Sequence, residues 1–277
     1  MNIGVSTASL YPLETELALE EIGKAGVKNT EIFFNCESEL KPAFIDILLE
    51  TKKKYDINIT ACHPTMSLAE SFMIFSNYER RFYESLDIYR RYSEIAAKLG
   101  AKYIIMHGGK PNGILSDEEY CERYMALKEA AKQNGVTVLQ ENVRLFRAGD
   151  IEFLRSMVDI LGDEAEFCFD IKQSVRCGYL PQELFKEFSK NIKHCHISDH
   201  SVATDCTLPF KAGFDFKGFF DLLKSENYEG NCMIEVYRDA YTEYSEIFES
   251  LEKLKNLEYW FLLFNIIIFL KNIFFVI

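Results

Sequence analysis

Four successive apolar runs in the second half of the chain carry a metal-ligand type of side chain at or near their ends. These residues are Glu141 in VTVLQEN, Asp170 in AEFCFDI, His196 in NIKHCHIS and Glu235 in NCMIEVY. A carboxylate within a buried apolar run costs free energy unless it is paired, protonated or bound to a cation. Carboxylates and an imidazole together suit Mn²⁺, Zn²⁺, Co²⁺ or Mg²⁺. The four residues predict a site for one divalent metal ion, provided that the fold brings the runs together.

Residues 193–200, KHCHISDH, admit three interpretations when taken alone. They could form a metal site, a charged surface turn, or a catalytic base with its helper. Alternation along a strand would point His194 and His196 to the same face, with His194 one layer deeper. We therefore expect His196 to be the ligand and His194 to be structural. Asp199 follows in the loop, where it could orient an imidazole, and His200 is expected to be an ordinary loop residue.

The elements that must position these residues alternate between strand and helix. Helical stretches are predicted over residues 14–26, 78–100, 117–135, 181–191 and 241–255, several ending at Gly or Asn just before a strand. Continuous apolar runs typical of strands buried on both faces occur at residues 2–8, 29–35, 57–63, 102–109, 136–143, 165–171, 191–198 and 231–237. Eight such units predict an α/β fold of the (β/α)8 TIM-barrel type. A doubly wound sheet is the alternative, but no Gly-rich phosphate loop follows the first run.

Composition narrows the classes of partner. The formal net charge is −12, which argues against binding to a nucleic-acid backbone, because such binding depends on lysine and arginine. The eight cysteines form no CxxC pair and predict reduced, buried thiols. The first residues lack the pattern of a signal peptide, so we expect a cytoplasmic protein.

The end of the chain differs from the rest. Residues 1–256 are expected to form the barrel, and residues 257–277, LEYWFLLFNIIIFLKNIFFVI, form a mostly apolar tail. This length suits a membrane span, although Lys271 would lie deep within it. The sequence leaves three interpretations open: a membrane-associating tail, a packed extra segment, or a non-native extension of the reading frame.

The order and spacing of several short motifs resemble those of the xylose isomerase-like barrel superfamily. The motifs are AAKLGAKYIIMHGG, LQEN, FDI, GYLP followed by IKHCHISD, and MIEVY, and the resemblance covers about residues 2–255. This superfamily contains sugar and sugar-phosphate isomerases and epimerases, together with zinc-dependent apurinic endonucleases of family 2. The resemblance implies that Glu141, Asp170, His196 and Glu235 hold one divalent metal ion.

Several positions depart from the family pattern. Gln173 stands where many relatives carry a histidine, and DCT at residues 205–207 replaces an Asp-x-His pair of the endonucleases. A three-zinc cluster would therefore lack two imidazoles, and His63 and His107 are expected to line a substrate pocket instead. Arg147 stands where ketose 3-epimerases carry an acid, which puts a free ketohexose in doubt as the substrate. Together with Arg144 and Arg176, it either binds a substrate carboxylate or phosphate, or lies on a solvated loop.

The predicted reaction is a metal-assisted proton transfer next to a carbonyl, through an enediolate, on a sugar or sugar phosphate. Glu141 and Glu235 are expected to remove and return the proton. His63, His107, Gln173 and Arg147 are expected to bind the substrate. The alternatives are a keto-polyol dehydratase of the same barrel family, an apurinic-type endonuclease, and a non-catalytic sugar-binding protein. The sequence leaves open whether the barrels form a homo-oligomer.

Overall fold

The computed structural model describes residues 1–65 and 69–257, which contain a closed barrel of eight parallel strands. The strands pair in chain order, and the first pairs with the eighth. Each predicted apolar run contains one strand, so the TIM-barrel prediction is confirmed. The strands are β1 (Asn2–Ser6), β2 (Asn29–Phe33), β3 (Asn58–His63), β4 (Tyr103–Met106), β5 (Thr137–Glu141), β6 (Phe167–Asp170), β7 (Ile192–Ile197) and β8 (Asn231–Ile234).

Helices connect the strands and surround the barrel. They include the five that the sequence predicts and others between them. Their bounds are α1 (Thr15–Lys24), α2 (Pro42–Tyr55), α3 (Glu70–Met73), α4 (Glu79–Leu99), α5 (Asp117–Lys132), α6 (Ile151–Leu161), α7 (Ile171–Arg176), α8 (Pro181–Phe188), α9 (Phe216–Ser225) and α10 (residues 245–257).

Local sequence signals set the ends of these helices. Gly100 ends α4 in the left-handed region, at φ 87°, and its amide donates to the carbonyls of Ala96 and Ala97. Only glycine adopts that conformation without steric cost, as the sequence predicts. The start of α5 is a capping box, in which Ser116 and Glu119 bond each other's backbone amides. These signals fix where each strand begins, and hence which residues reach the barrel mouth.

The barrel interior is apolar only in part. A small cluster on the middle strands consists of Ala61, Ile105, Leu139 and Cys168. The main apolar core, by contrast, contains residues from both the strands and the surrounding helices.

All eight cysteines are free thiols and six of them are buried, but Cys36 is exposed, contrary to the expectation that they are all buried.

The apolar tail cannot be related to this architecture. Its residues 258–277 lie outside the described residues, so the three interpretations of the tail stay predictions. Within residues 1–65 and 69–257, no helix has both the length and the apolar character needed to cross a bilayer.

The close approach of β1 and β2 generates a prediction at Gly4. A methyl group on Gly4 would lie 2.0 Å from the carbonyl oxygen of Asn29 and 2.9 Å from Sδ of Met233. We expect Gly4→Ala to lower the free energy of unfolding by about 3 kcal/mol or more, because a strand of a closed barrel cannot move aside.

Denaturant unfolding measures this loss, and Gly26→Ala is the control. Gly26 has φ 77° and no atom within 4 Å of an added methyl group, so only backbone strain opposes the change. That strain costs roughly 1 kcal/mol. Equal losses in the two variants would contradict the close approach at Gly4.

Candidate active site

The carboxyl ends of β5 to β8 bring the four predicted ligand residues together. Glu141 ends β5, Asp170 ends β6, His196 lies in β7, and Glu235 directly follows β8. One donor atom from each lies within 4.8 Å of the others. We call these four residues the ligand cluster. Parallel pairing explains their meeting, since Asp170 pairs with His196 and the outer two strands, β5 and β8, pair with β6 and β7 respectively.

The ring of His196 lies between two layers of acids. Its Nδ1 is 3.1 Å from Oε1 of Glu141 and 3.6 Å from Oδ2 of Asp170, and so faces the ligand cluster. Its Nε2 is 3.2 Å from Oε2 of Glu31, on the deeper side. Burial alone would lower the pKa of His196, but surrounding acidic groups, chiefly Cys168 and Glu235, raise it well above its usual range.

A deeper layer supports His196 from below. Glu31, on β2, accepts a hydrogen bond from the Ser6 hydroxyl at 3.0 Å, and its other oxygen lies 3.0 Å from Nε2 of His194. Burial raises the pKa of Glu31, but the two imidazoles outweigh it and hold that pKa well below its usual range. His194 thus points inward one layer below His196, with the structural surroundings expected for it. The contact of Glu31 with His196 was not predicted, although the strand-end position of Glu31 was a signal for it.

Lys172 is a cation at the ligand cluster that we did not predict from the sequence. Its ammonium donates to Oδ2 of Asp170 and lies 3.0 Å from Oε1 of Glu235. Burial would lower the pKa of Lys172, but these two carboxylates raise it well above its usual range. Its position two residues after the strand-end aspartate, in the first turn of α7, brings its backbone near the cluster but does not by itself give the direction of its side chain.

The imidazoles of His63 and His107 approach Glu141 from the opposite side. Their Nε2 atoms lie 3.6 and 3.1 Å from Oε2 of Glu141, respectively. Burial raises the pKa of Glu141, but His107, His196 and His63 outweigh it and hold the pKa well below its usual range. Glu141 is therefore a carboxylate surrounded by imidazoles.

An open cavity of about 360 Å³ lies over the ligand cluster. Its polar wall includes His63, His107 and Gln173, so the structure brings three of the predicted substrate-binding residues to one cavity. Three aromatic residues, Tyr11, Phe33 and Tyr237, also line it. The lining residues are Ala8, Tyr11, Phe33, Asn35, His63, His107, Glu141, Lys172, Gln173, Glu235, Val236, Tyr237 and Arg238.

Arg147, the fourth predicted substrate-binding residue, does not line this cavity. Its guanidinium donates to the carboxylate of Asp117 and, at 2.7 Å, to the carbonyl oxygen of Leu115. It also packs 4.7 Å from the ring centre of Phe153. The acidic first turn of α5 therefore neutralises Arg147 and holds it away from the cavity, which corrects the expected position.

Two other polar residues have roles different from those expected. Asp199 accepts hydrogen bonds from the amides of His200, Ala212, Gly213 and Phe214, so it closes the loop after β7 rather than orienting an imidazole. Arg176 is paired with Asp205 at 2.6 Å. This arginine therefore joins two loops instead of presenting a free charge.

The ligand cluster fits a divalent metal ion. Its donors are three carboxylates and one imidazole, all partly or fully buried. Oε2 of Glu235 is buried and makes no hydrogen bond within the described residues. A buried carboxylate oxygen without a donor is costly, and a cation would satisfy it. The ammonium of Lys172, which bridges two of the carboxylates, shows that a positive charge fits there.

Comparison with known proteins identifies the family. The family model described as xylose isomerase-like TIM barrel matches residues 19–257. The chain belongs to this xylose isomerase-like TIM barrel family. An uncharacterised protein of Methanocaldococcus jannaschii is 29% identical to it over 241 residues, 82% of this chain and 89% of that protein.

Solved structures share the xylose isomerase-like barrel. A 3-keto-D-glucoside 4-epimerase from E. coli, in its apo form, superimposes with a TM-score of 0.73 at 17% identity, covering 92% of this chain and 99% of that chain. A D-tagatose 3-epimerase-like protein superimposes with a TM-score of 0.71 at 22% identity, with the same coverage. These likenesses establish the fold.

A buried acid beside the cavity lies outside the ligand cluster. Glu70, in α3, accepts hydrogen bonds from the Gly108 amide at 2.7 Å and the Tyr89 hydroxyl at 2.9 Å. Burial raises the pKa of Glu70 to about 7, although His107 and the Gly108 amide act in the lowering direction. Glu70 thus holds the loop that follows β4, and its charge changes near neutral pH.

The raised pKa of Glu70 makes stability depend on pH. A buried acid with a raised pKa binds more protons in the folded state than in the unfolded state, so its contribution to stability falls as pH rises. The window extends from the usual value of 4.5 to about 7. We expect Glu70→Gln to gain up to about 3 kcal/mol relative to the parent between pH 4.5 and pH 8.

Denaturant unfolding at several pH values measures this difference. Glu84→Gln, which removes an exposed carboxylate from α4, is the control for the loss of one charge. A Glu70→Gln curve parallel to that of the parent would show that Glu70 is not protonated in the folded protein at the lower pH.

Proposed function

We propose that this protein is a divalent-metal-dependent isomerase or epimerase of sugars or sugar phosphates, which transfers a proton at a carbon next to a carbonyl. The observation that carries the proposal is the meeting of two glutamates from different strands, Glu141 and Glu235, with Asp170 and His196, where both glutamates also line one cavity. The neighbouring structures, a 3-keto-D-glucoside 4-epimerase and a D-tagatose 3-epimerase-like protein, support the substrate class.

The ligand cluster would hold the metal ion. When bound, a divalent cation polarises the substrate carbonyl and stabilises the negative charge that develops on its oxygen. Asp170 would contribute a carboxylate whose orientation is fixed by the hydrogen bond that it accepts from the amide of Gln173. His196 would contribute a ring nitrogen: its Nδ1 faces Glu141, and its Nε2 contacts both Glu31 and Glu235. Such outer contacts orient a metal-binding imidazole and select its tautomer.

Glu141 and Glu235 would move the proton. They end strands that are separated by β6 and β7 in the closed barrel, so their carboxylates approach the cavity from different directions. Removal of a proton by one and its return by the other inverts a carbon or shifts the carbonyl to its neighbour. The side chain of Glu235 is 14% exposed, against 3% for Glu141, so Glu235 is the more accessible of the two.

The cavity wall suits a polyol. His63, His107 and Gln173 supply hydrogen-bonding groups for hydroxyls, while Phe33 and Tyr237 supply apolar surface for the C–H face of a sugar. Arg238 also lines the cavity, and its two Nη atoms donate to the carbonyl oxygens of Tyr241 and Thr242. Its positive charge suits the binding of a phosphate group, so the proposed substrates include sugar phosphates. A keto-polyol dehydratase would begin with the same proton removal, so the products distinguish it.

Replacement of either glutamate tests the proton transfer. We expect Glu141→Gln and Glu235→Gln each to reduce turnover by a factor of about 10² to 10⁴, because an amide cannot accept the proton. The measurement incubates a panel of ketoses, aldoses and their phosphates in D₂O with Mn²⁺ and follows deuterium at the carbon next to the carbonyl by NMR. Glu183→Gln, on the exposed face of α8, is the control. Unchanged exchange in both cluster variants would exclude these roles.

Metal content tests the class of protein separately. Mass spectrometry of the full chain under non-chelating conditions should find about one divalent ion per protein, and Glu235→Gln should lose it. Three zinc ions would favour the apurinic-type endonuclease. No metal, together with tight sugar binding, would favour a non-catalytic sugar-binding protein.

A further inference from the structure

The ammonium of Lys172 contacts two of the four residues of the ligand cluster. It bonds Oδ2 of Asp170 and lies 3.0 Å from Oε1 of Glu235, and the residue is only 2% exposed. A long, flexible side chain with a positive charge is seldom buried without a specific partner. Lys172 thus uses two of the carboxylates that a divalent metal ion would use.

Asp170 is the point at which the two cations would conflict. Its Oδ1 accepts the amide of Gln173 at 3.0 Å and caps α7, while its Oδ2 accepts Lys172. Each oxygen therefore already has a hydrogen-bond donor. Because the cap fixes the orientation of the carboxylate, Oδ2 is the oxygen available to a metal ion. This Oδ2 also lies 3.6 Å from Nδ1 of His196.

Charge explains why a cation is present there. Glu141, Asp170 and Glu235 contribute three carboxylates to a group whose donor atoms lie within 4.8 Å of one another. Like charges at that separation in a buried site repel strongly unless a cation is present. Lys172 supplies a positive charge from the protein itself. A dication in the same place would repel the ammonium.

The cavity offers space into which the side chain of Lys172 can move. Lys172 lines the cavity above the cluster, and its Nζ lies 5.7 Å from the ring centre of Tyr237, which also lines the cavity. The face of an aromatic ring attracts an ammonium group. Movement towards Tyr237 would take the charge away from the metal position and place it among groups that would contact substrate.

We propose that Lys172 is a resident counter-cation that competes with the divalent metal ion for Asp170 and Glu235, so that metal binding moves the ammonium into the substrate cavity. The inference rests on the proposed metal centre. On this inference Lys172, although it is not a metal ligand, lowers the affinity of the four ligands for the metal ion.

A lysine variant tests the competition. Lys172→Met keeps an unbranched, flexible side chain that is one atom shorter and removes its charge. We expect Lys172→Met to bind Mn²⁺ at least about tenfold more tightly than the parent in isothermal titration calorimetry, because no ammonium has to be displaced. Without metal, its thermal midpoint should fall below that of the parent, because the three carboxylates lose their counter-cation. Lys186→Met, on the exposed face of α8, is the matched control and should bind Mn²⁺ like the parent.

A second measurement needs no variant. Reductive methylation of the parent protein, read by peptide mass spectrometry, should leave Lys172 protected without metal. Saturating Mn²⁺ should increase its modification several-fold, while Lys186 is modified equally in both conditions. Equal protection of Lys172 with and without Mn²⁺ would show that metal binding does not displace its ammonium group, and would overturn the proposal.

The outcomes separate this inference from the proposed function. Tighter binding in Lys172→Met supports the competition even if Glu235→Gln retains proton exchange, a result that would defeat only the proposed function. Equal or weaker binding in Lys172→Met overturns the competition and leaves the isomerase proposal intact. Absence of Mn²⁺ binding in both proteins overturns both proposals.

Discussion

Charge compensation at the barrel mouth is the constraint on which the rest of the site depends. The fold buries three carboxylates close together, and a fourth, Glu31, lies one layer below. The repulsion between these carboxylates is offset by imidazoles and an ammonium group that lie between them. His196 touches acids of both layers, and Lys172 bridges two acids of the upper layer. The folded barrel therefore needs positive charge at this position whether or not a metal supplies it.

The same constraint shapes the interior of the barrel. A TIM barrel of this size is usually filled by layers of apolar side chains. Here the apolar cluster shares the interior with the polar pair Glu31 and His194, since Glu31 pairs with Ala61 and His194 pairs with Cys168, and the ligand cluster lies nearer the mouth. The polar pair has no access to solvent, and its Glu31 contacts Nε2 of His196 from the deeper side. Lys172 contacts two of the acids, and Glu141 and Glu235 still line the open cavity.

Much of this could be predicted from the sequence. Strands buried on both faces appear as continuous apolar runs, and Gly100 marks the end of a helix because only glycine fits its conformation. Glu141 and Glu235 could be found because a carboxylate within such a run is expensive. A parallel barrel then places the ends of neighbouring strands side by side. These features depend on local sequence and on one topological rule.

The remainder depends on side-chain direction, which spacing does not encode. Lys172 belongs to the first turn of a short helix, and nothing in FDIKQS shows that its side chain turns back towards Asp170. Arg147 stands near the strand end in the sequence, but Asp117, thirty residues earlier, pairs with it. In both cases the partner is set by tertiary packing. Glu31 shows the same limit, since its contact with His196 joins residues 165 positions apart.

Hydrogen bonds to Asp199 close the base of the loop after β7, and they affect which changes in loop length the barrel can accept. Asp199 bonds the amides at both ends of residues 200–214, and its backbone pairs with that of Thr207. Insertions or deletions between those anchor points need not shift His196 in the adjoining strand. The same loop holds Arg176 through Asp205, and Arg176 in turn donates to the hydroxyl of Tyr237 at 2.8 Å. Descendants of this sequence could therefore remodel one wall of the cavity by altering loop length, while inheriting the ligand cluster intact.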